Sequence, residues 1–346
     1  MNKLIRMIIV MSILALPASA LDITAPPVPK SGRQWMPSET ETFGEGLLEV
    51  IDDAIGYFHP ELKEAISVCV GVIGAAMVVS LLKSIPGSRI KAVELAGTVA
   101  VAAMLLNASN SLIHLGADTV GQVSEYGKLL LPAMTAAMAA QGGITSASAL
   151  YAGTAFFDSF LTSLMVKLLT PMVYVYLALS AAGSATGDDI LKKLRDFMKW
   201  AYVWILKVIL YVFTGYISIT GVVSGTTDAA ALKAAKLTIS GVVPVVGSIL
   251  SDASEAVLVS AGTVKNAIGI YGMLAILAVW IGPFLKIGAH YLMLKLTAGL
   301  CGIFSGKQMT DLIGDFSSAM GFVMAMTGAV SLMFMISTVC FLKGVG

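Results

Sequence analysis

The chain has 346 residues, of which 57% are hydrophobic and only 12% charged, and its net charge is +1. Soluble domains carry about 25% charged residues, so this composition excludes an ordinary soluble protein and predicts an integral membrane protein. A near-neutral chain without a dense basic patch also excludes a nucleic-acid-binding protein. Cys69, Cys301 and Cys340 lie in apolar runs without ligand spacing, so we expect buried thiols rather than a disulfide framework.

Residues 1–20 have the pattern of a secretory signal peptide. Lys3 and Arg6 form a positively charged start, residues 8–16 form a short apolar core, and Ala-Ser-Ala at 18–20 is a typical cleavage site. Cleavage after this site is predicted, and an uncleaved membrane anchor is the alternative.

Residues 21–63 form the only clearly water-soluble stretch, which the leader would export. Prolines mark its first half as extended, and residues 45–57 are predicted to form one amphipathic helix. The predicted apolar stripe of that helix consists of Leu47, Leu48, Ile51 and Ile55. This helix either covers the first membrane span or docks a partner outside the cytoplasm. The remainder, residues 64–346, is predicted to be a transmembrane helical domain with six to eight apolar segments.

The positive charges between apolar segments predict the orientation of the chain. Residues 83–91, after a span at 65–82, and residues 187–199 are rich in lysine and arginine, so both are predicted to be cytoplasmic. A span at 92–115 leads outward, and one further crossing at 156–182 then suffices to reach residue 187. Residues 129–150 would be re-entrant or peripheral in that arrangement. Alternatively they form a true span, which would place residues 187–199 outside.

The remaining spans are predicted at residues 201–223, 267–289 and 318–342. Residues 291–305 are ambiguous because Lys295 interrupts their apolar run. The fold predicted from the sequence is therefore all-α: a polytopic transmembrane helical bundle with broken, re-entrant or interfacial helices, preceded by a signal peptide.

Asp158 and Lys167 are charged residues inside the apolar segment at 156–182. They are nine residues apart, which is about 900° of helix, so they lie on opposite faces and cannot pair in a straight helix. An ionisable group deep in a membrane is by default a candidate functional residue. The alternative is that both lie near the ends of the segment, or near Pro171, and reach water.

Residues 224–266 are predicted to form two short helices around a Gly-x-x-Pro-x-x-Gly break. Thr227 or Asp228 can cap the first helix, and Asp252 with Glu255 resembles a capping box at the start of the second. Broken helices at membrane depth occur only against protein or around a water-filled cavity. The candidate residues for a path or a docking surface are Asp228, Lys233, Lys236, Gly241, Pro244, Gly247, Asp252, Glu255 and Lys265.

This region also carries a family resemblance, in residues 224–236, in SGVVPVVG at 240–247, in LSDASE at 250–255 and in residues 265–272. In these runs the chain resembles the stage III sporulation protein AE family, polytopic membrane proteins of endospore-forming bacteria. The resemblance implies a component of the complex that connects the mother cell to the engulfed forespore, located in the mother-cell membrane around it. It further implies other membrane proteins and a separate ATPase as partners, and it supplies no chemical activity.

No motif in the chain predicts catalysis, a cofactor or a metal. Ser305-Gly306-Lys307 resembles part of a phosphate loop, but Gly302 lies four residues before Gly306 and Gln308 replaces the required hydroxyl residue. There is no H-E-x-x-H motif, and we expect that the chain is not an enzyme. The favoured function is a permease-like or channel subunit, the alternative is a membrane scaffold that conducts nothing, and an intramembrane enzyme is third. A homo-oligomer is compatible with each of them.

Overall fold

The computed structural model describes residues 24–37, 42–85, 90–141, 143–242 and 247–343, with the backbone only between residues 219 and 262. The predicted signal peptide lies outside the described residues. The described residues contain no strand, which agrees with the predicted all-α fold. Their seven α-helices are α1 (Phe43–Lys83), α2 (Ile90–Ala140), α3 (Ile144–Leu164), α4 (Thr170–Thr186), α5 (Asp189–Val242), α6 (Gly247–Phe304) and α7 (Lys307–Lys343).

The helices form six long rods. A π-helical turn, Met165–Leu169, joins α3 to α4 without a break, so these two form one rod. All six rods are long and apolar enough to cross a membrane. By length and composition, their number agrees with the lower end of the six to eight apolar segments predicted from the sequence. With 51 residues, α2 is about 77 Å long, more than twice the thickness of a bilayer core.

Two predicted boundaries in the bundle are wrong. Residues 129–140 are the last turns of α2, and α3 begins at Ile144, so residues 129–150 form the junction of two rods and not a separate span. Of the predicted alternatives, this junction fits the peripheral position. Residues 291–304 continue α6 and form no separate segment. Lys295 does not interrupt α6, because its side chain is exposed and lysine is a good helix former.

The amphipathic helix predicted at residues 45–57 is the first part of α1, which continues through Pro60 and across residues 63 and 64. The predicted apolar stripe is on the wrong face, because Leu48, Ile51 and Ile55 are exposed. Val50 and Ala54 are buried instead, against residues 277–281 of α6. The sequence contains two adjacent apolar rows in this segment, and only the packing on α6 decides between them.

The ends of the helices alternate between the two ends of the bundle. Lys83 at the end of α1 bonds to Glu94 of α2 at 2.6 Å, and Ser80 donates to the carbonyl of Phe304 at the end of α6. Gly187 between α4 and α5 has a φ of 74°, in the left-handed region that favours glycine, and it lies against Gln308 of α7. The connections after α1, α4 and α6 therefore lie at the same end. This arrangement agrees with the predicted topology, in which one crossing at residues 156–182 separates α2 from α5.

Two glycines of α2 let it approach α7 closely. A Cβ on Gly116 would collide with Val323, and a Cβ on Gly127 would collide with the ring of Phe334. Both pairs differ by 207 in residue number, so α2 and α7 run parallel over this stretch without a shift. The contact therefore fixes which residues of the two helices lie at the same level.

We expect that Gly127→Ala lowers the free energy of unfolding by about 1–3 kcal/mol, the usual result of overpacking a filled contact. Gly121→Ala on the same helix is the matched control, because nothing lies within 4 Å of the added Cβ. Since alanine is the better helix former, Gly121→Ala should be neutral or stabilising. Thermal unfolding of the purified variants in detergent compares them, and equal Tm values would contradict the close contact.

The apolar stretches of different helices do not lie at one level. Lys286 of α6 bonds to Glu64 of α1 at 2.6 Å, so the charged half of α1 lies beside the apolar residues 267–286 of α6. Trp35 likewise lies against Gly282. Polar residues of α1 and the N-terminal segment, which was predicted to lie outside the membrane, thus pack along the span predicted at residues 267–289.

Candidate functional site

One face of α2 is polar and exposed over about five turns. Its side chains, which we call the polar face, are those of Asn107, Ser111, His114, Asp118 and Glu125. The spacings of four, three, four and seven residues keep these side chains on one side of a helix. The opposite side of α2 carries Leu112, Val120 and Val123, which are buried in the core. The polar face is therefore a continuous feature of the surface.

The polar face lies at the level of an apolar run in α7. With the offset of 207 residues, residues 111–125 of α2 lie beside residues 318–332 of α7, and Asn107 lies level with Gly314, next to Asp315. Residues 318–342 of α7 contain no charged residue, and the exposed side chains there include Leu332 (56% exposed) and Ile336 (41%). Charged and apolar side chains are thus exposed at the same height on two neighbouring helices.

Polar groups of the next rod extend the polar face. The hydroxyl of Tyr174 donates to Oδ1 of Asn110 at 2.9 Å, and the rings of Tyr174 and His114 lie 6.3 Å apart. Two turns further along, Lys167 is exposed in the π-helical turn, which itself contacts α2. Single π-helical turns within α-helices are frequent at functional sites.

A cleft continues the polar face towards residue 129. The N-terminal segment crosses α2 here, where Ser31 hydrogen-bonds to Gln122. The cleft between them has a volume of about 280 Å³, and its walls include Lys30, Arg33 and Glu125. Charged groups of both signs therefore line the passage that leads away from the polar face.

Asp158 and Lys167, the two charged residues of the apolar segment at 156–182, point in different directions, as their spacing predicts. Asp158 is 1% exposed and accepts a hydrogen bond from Ser337 of α7 at 3.2 Å, whereas Lys167 is exposed. Asp158 is therefore part of the interior of the bundle, and Lys167 belongs to its surface.

A second polar cluster, which the sequence did not predict, joins three helices at the end that holds the connection between α4 and α5. Asp315 of α7 accepts hydrogen bonds from Tyr176 at 2.8 Å, Ser180 at 2.6 Å and Arg195 at 2.7 Å. Arg195 also bonds to Asp196. In the sequence, Arg195 only contributed to the positive charge of residues 187–199. Among the described residues, no group of three or more histidine, cysteine or acidic side chains could hold a metal ion.

In the region at 224–266 the described residues are helical, as part of α5 up to Val242 and of α6 from Gly247. The break predicted around Pro244 falls at residues 243–246, which lie outside the described residues. The predicted helix starts are wrong, since residues 227–228 lie inside α5 and residues 252–255 lie inside α6. The sequence signal failed because hydroxyl and acidic residues also occur within long helices.

The candidate residues in that region fall into two groups. Gly241 lies in the last turn of α5, and Lys265 is 4% exposed in α6. The remaining charged candidates lie where the structure describes the backbone only: Asp228, Lys233, Lys236, Asp252 and Glu255. Their role as a path or docking surface stays a prediction.

The comparisons with known proteins point to one family. The family model described as "Stage III sporulation protein AE" matches residues 39–344. The stage III sporulation protein AE of Bacillus subtilis (strain 168) is 24% identical over 234 residues, which cover 68% of this chain and 59% of that relative. The match thus spans less than two thirds of the relative's length. No solved structure matches the chain.

Proposed function

Because the chain belongs to the stage III sporulation protein AE family, we propose that it is a permease-like or channel subunit of the complex that links mother cell and forespore. Family membership supports a role in sporulation, and the six apolar rods indicate a multi-pass membrane protein. In this proposal the protein lies in the mother-cell membrane around the forespore and is not an enzyme. It works with other membrane proteins of the complex and with a separate ATPase.

The polar face of α2 is the observation that carries this proposal. An aspartate at the centre of a membrane helix costs about 3 kcal/mol on insertion scales, so such residues face water or a polar partner. Asp118 and Glu125 lie beyond the span predicted at 92–115 of α2, but together with His114 they lie level with the span predicted at 318–342 of α7. In our proposal these side chains line an aqueous path that neighbouring subunits complete, and the cleft beside Lys30 and Arg33 continues it.

A scaffold that conducts nothing is the second candidate, and a different surface favours it. Leu48, Ile51 and Ile55 form an exposed apolar row on α1, beside the exposed acids Asp52 and Asp53. An apolar row bordered by charges is typical of a protein-binding surface. In this alternative the polar face would also be covered by partner proteins.

Cysteine labelling in sporulating cells tests the proposal. The background chain lacks Cys69, Cys301 and Cys340, and single cysteines are placed at Ser111, Asp118, Glu125 and Leu332. We expect a membrane-impermeant thiol reagent to modify the cysteines at 111, 118 and 125 in the assembled complex. The cysteine at 332 is the matched control for the one at 125, because Leu332 lies on the apolar surface at the same level, and we expect it to stay unmodified.

The other outcomes separate the alternatives. If the cysteine at 332 reacts as fast as the one at 125, this level lies in water on every side, and the path through the membrane is excluded. If positions 111 and 118 react in the isolated protein but not in the complex, partners cover the polar face, and the scaffold replaces the channel.

A further inference from the structure

A carboxylate lies buried between α3 and α7, away from the polar face. The side chain of Asp158 is 1% exposed, and its Oδ2 accepts a hydrogen bond from Ser337 at 3.2 Å. Its other oxygen, Oδ1, is buried without a hydrogen-bond partner. No described lysine, arginine or histidine forms an ion pair with it. A buried carboxylate in this state needs a compensating positive charge or a proton.

Two threonines flank Asp158 on the same face of α3. Thr154 and Thr162 lie one turn before and one turn after it, and both are buried with hydroxyls that have no hydrogen-bond partner. This is unusual for the chain. Most of the other described helical threonines donate to the carbonyl four residues earlier, as do Thr98, Thr119, Thr135, Thr186, Thr214, Thr297 and Thr338.

We propose that Asp158, Thr154, Thr162 and Ser337 form a binding site for a small monovalent metal cation such as Na⁺. Hard cations are bound by carboxylate, hydroxyl and carbonyl oxygens, and this site offers a carboxylate with hydroxyls on both sides. The cation supplies the charge that Asp158 lacks, and the hydroxyl oxygens become ligands. A proton on Asp158 would neutralise the carboxylate but would leave both threonine hydroxyls without partners, so the metal cation accounts for more of the observed groups.

The site joins two rods of the bundle, which gives its occupancy a measurable consequence. Asp158 belongs to α3 and Ser337 to α7, so a bound cation holds these helices together. A ligand that binds only the folded state raises its stability as its concentration exceeds the dissociation constant. We expect Na⁺ at a hundred times the dissociation constant to raise the Tm by about 4 °C.

The experiment uses the purified full chain in detergent, unfolded in NaCl, KCl and N-methylglucamine chloride at equal ionic strength. Wild type should unfold at a higher temperature in NaCl than in N-methylglucamine chloride, and Asp158→Asn should abolish the difference. Thr338→Ala is the matched control, because it removes a neighbouring hydroxyl that is bonded to its own helix. It should keep the Na⁺-dependent rise. This readout does not depend on sporulation, so it is separate from the proposed channel function.

A second variant covers the case in which Asp158→Asn does not fold. In Thr154→Val with Thr162→Val the carboxylate is kept, and the Na⁺ concentration that gives the same rise in Tm as in wild type should be about tenfold higher, which corresponds to about 1.4 kcal/mol. If the Tm of the wild type rises equally in KCl, and Asp158→Asn abolishes this rise, the result also supports the site. Equal Tm values of wild type in all three salts, or an unchanged Na⁺ effect in Asp158→Asn, would overturn it and assign a proton to Asp158.

Discussion

Replacing Ser111, His114 and Asp118 together by leucine is expected to lower the number of heat-resistant spores by several orders of magnitude, with the amount of protein in the membrane unchanged. Leucine at these positions favours membrane insertion, because aspartate costs about 3 kcal/mol at a helix centre and leucine is slightly favourable. The substitutions remove the polar surface of the proposed path without removing a buried contact, since all three side chains are exposed. Loss of spores would therefore come from lost function and not from lost insertion.

The control for this variant also replaces exposed polar side chains by leucine, but on a different helix. Asp52 and Asp53 on α1 are exposed and lie outside the polar face. Their replacement by leucine should leave spore counts close to wild type if the polar face alone lines the path. Normal spore counts in the leucine variant of the polar face would contradict the proposed path. Loss in both variants would show that added apolar surface is harmful wherever it is placed.

Features that depend on local composition could be predicted from the sequence. The number of long apolar rods follows from apolar runs, and the alternation of the connections follows from the charges near Lys83 and Arg195. The opposite directions of Asp158 and Lys167 follow from the helical period alone.

Features that depend on distant partners could not be predicted. The choice between the two apolar rows of α1 depends on α6, more than 200 residues away, which buries Val50 and leaves Ile51 exposed. The ends of the long helices were misplaced because Thr227 and Asp252 have capping side chains but lie within continuous helices. The polar face could not be recognised either, because its level is set by Gly116 and Gly127 against α7.

Asp315→Ala is expected to lower the free energy of unfolding by about 3 kcal/mol, the range found when one partner of a buried ion pair is removed. The carboxylate holds Tyr176 and Ser180 of α4 and Arg195 of α5 against α7, so its loss leaves three donors on two other helices without this acceptor. The side chains of Asp315 and Arg195 are mostly buried, and water cannot fully replace the lost bonds.

A surface ion pair nearby provides the comparison for Asp315. Lys192 bonds to Asp189 at 3.1 Å, but the side chain of Asp189 is 84% exposed, so Asp189→Ala should change stability by less than about 1 kcal/mol. Thermal unfolding of the purified variants measures both effects. Asp315→Ala combined with Arg195→Ala should lower the free energy of unfolding by less than the sum of the two single changes, because both changes remove the same ion pair. Additive losses would mean that the two groups act separately. Losses smaller than the sum instead indicate that Arg195 and Asp315 act as one pair. Because Tyr176 and Ser180 bind the same carboxylate, α4 and α5 are both tied to α7, and we expect the connection at Gly187 between them to be held rigid.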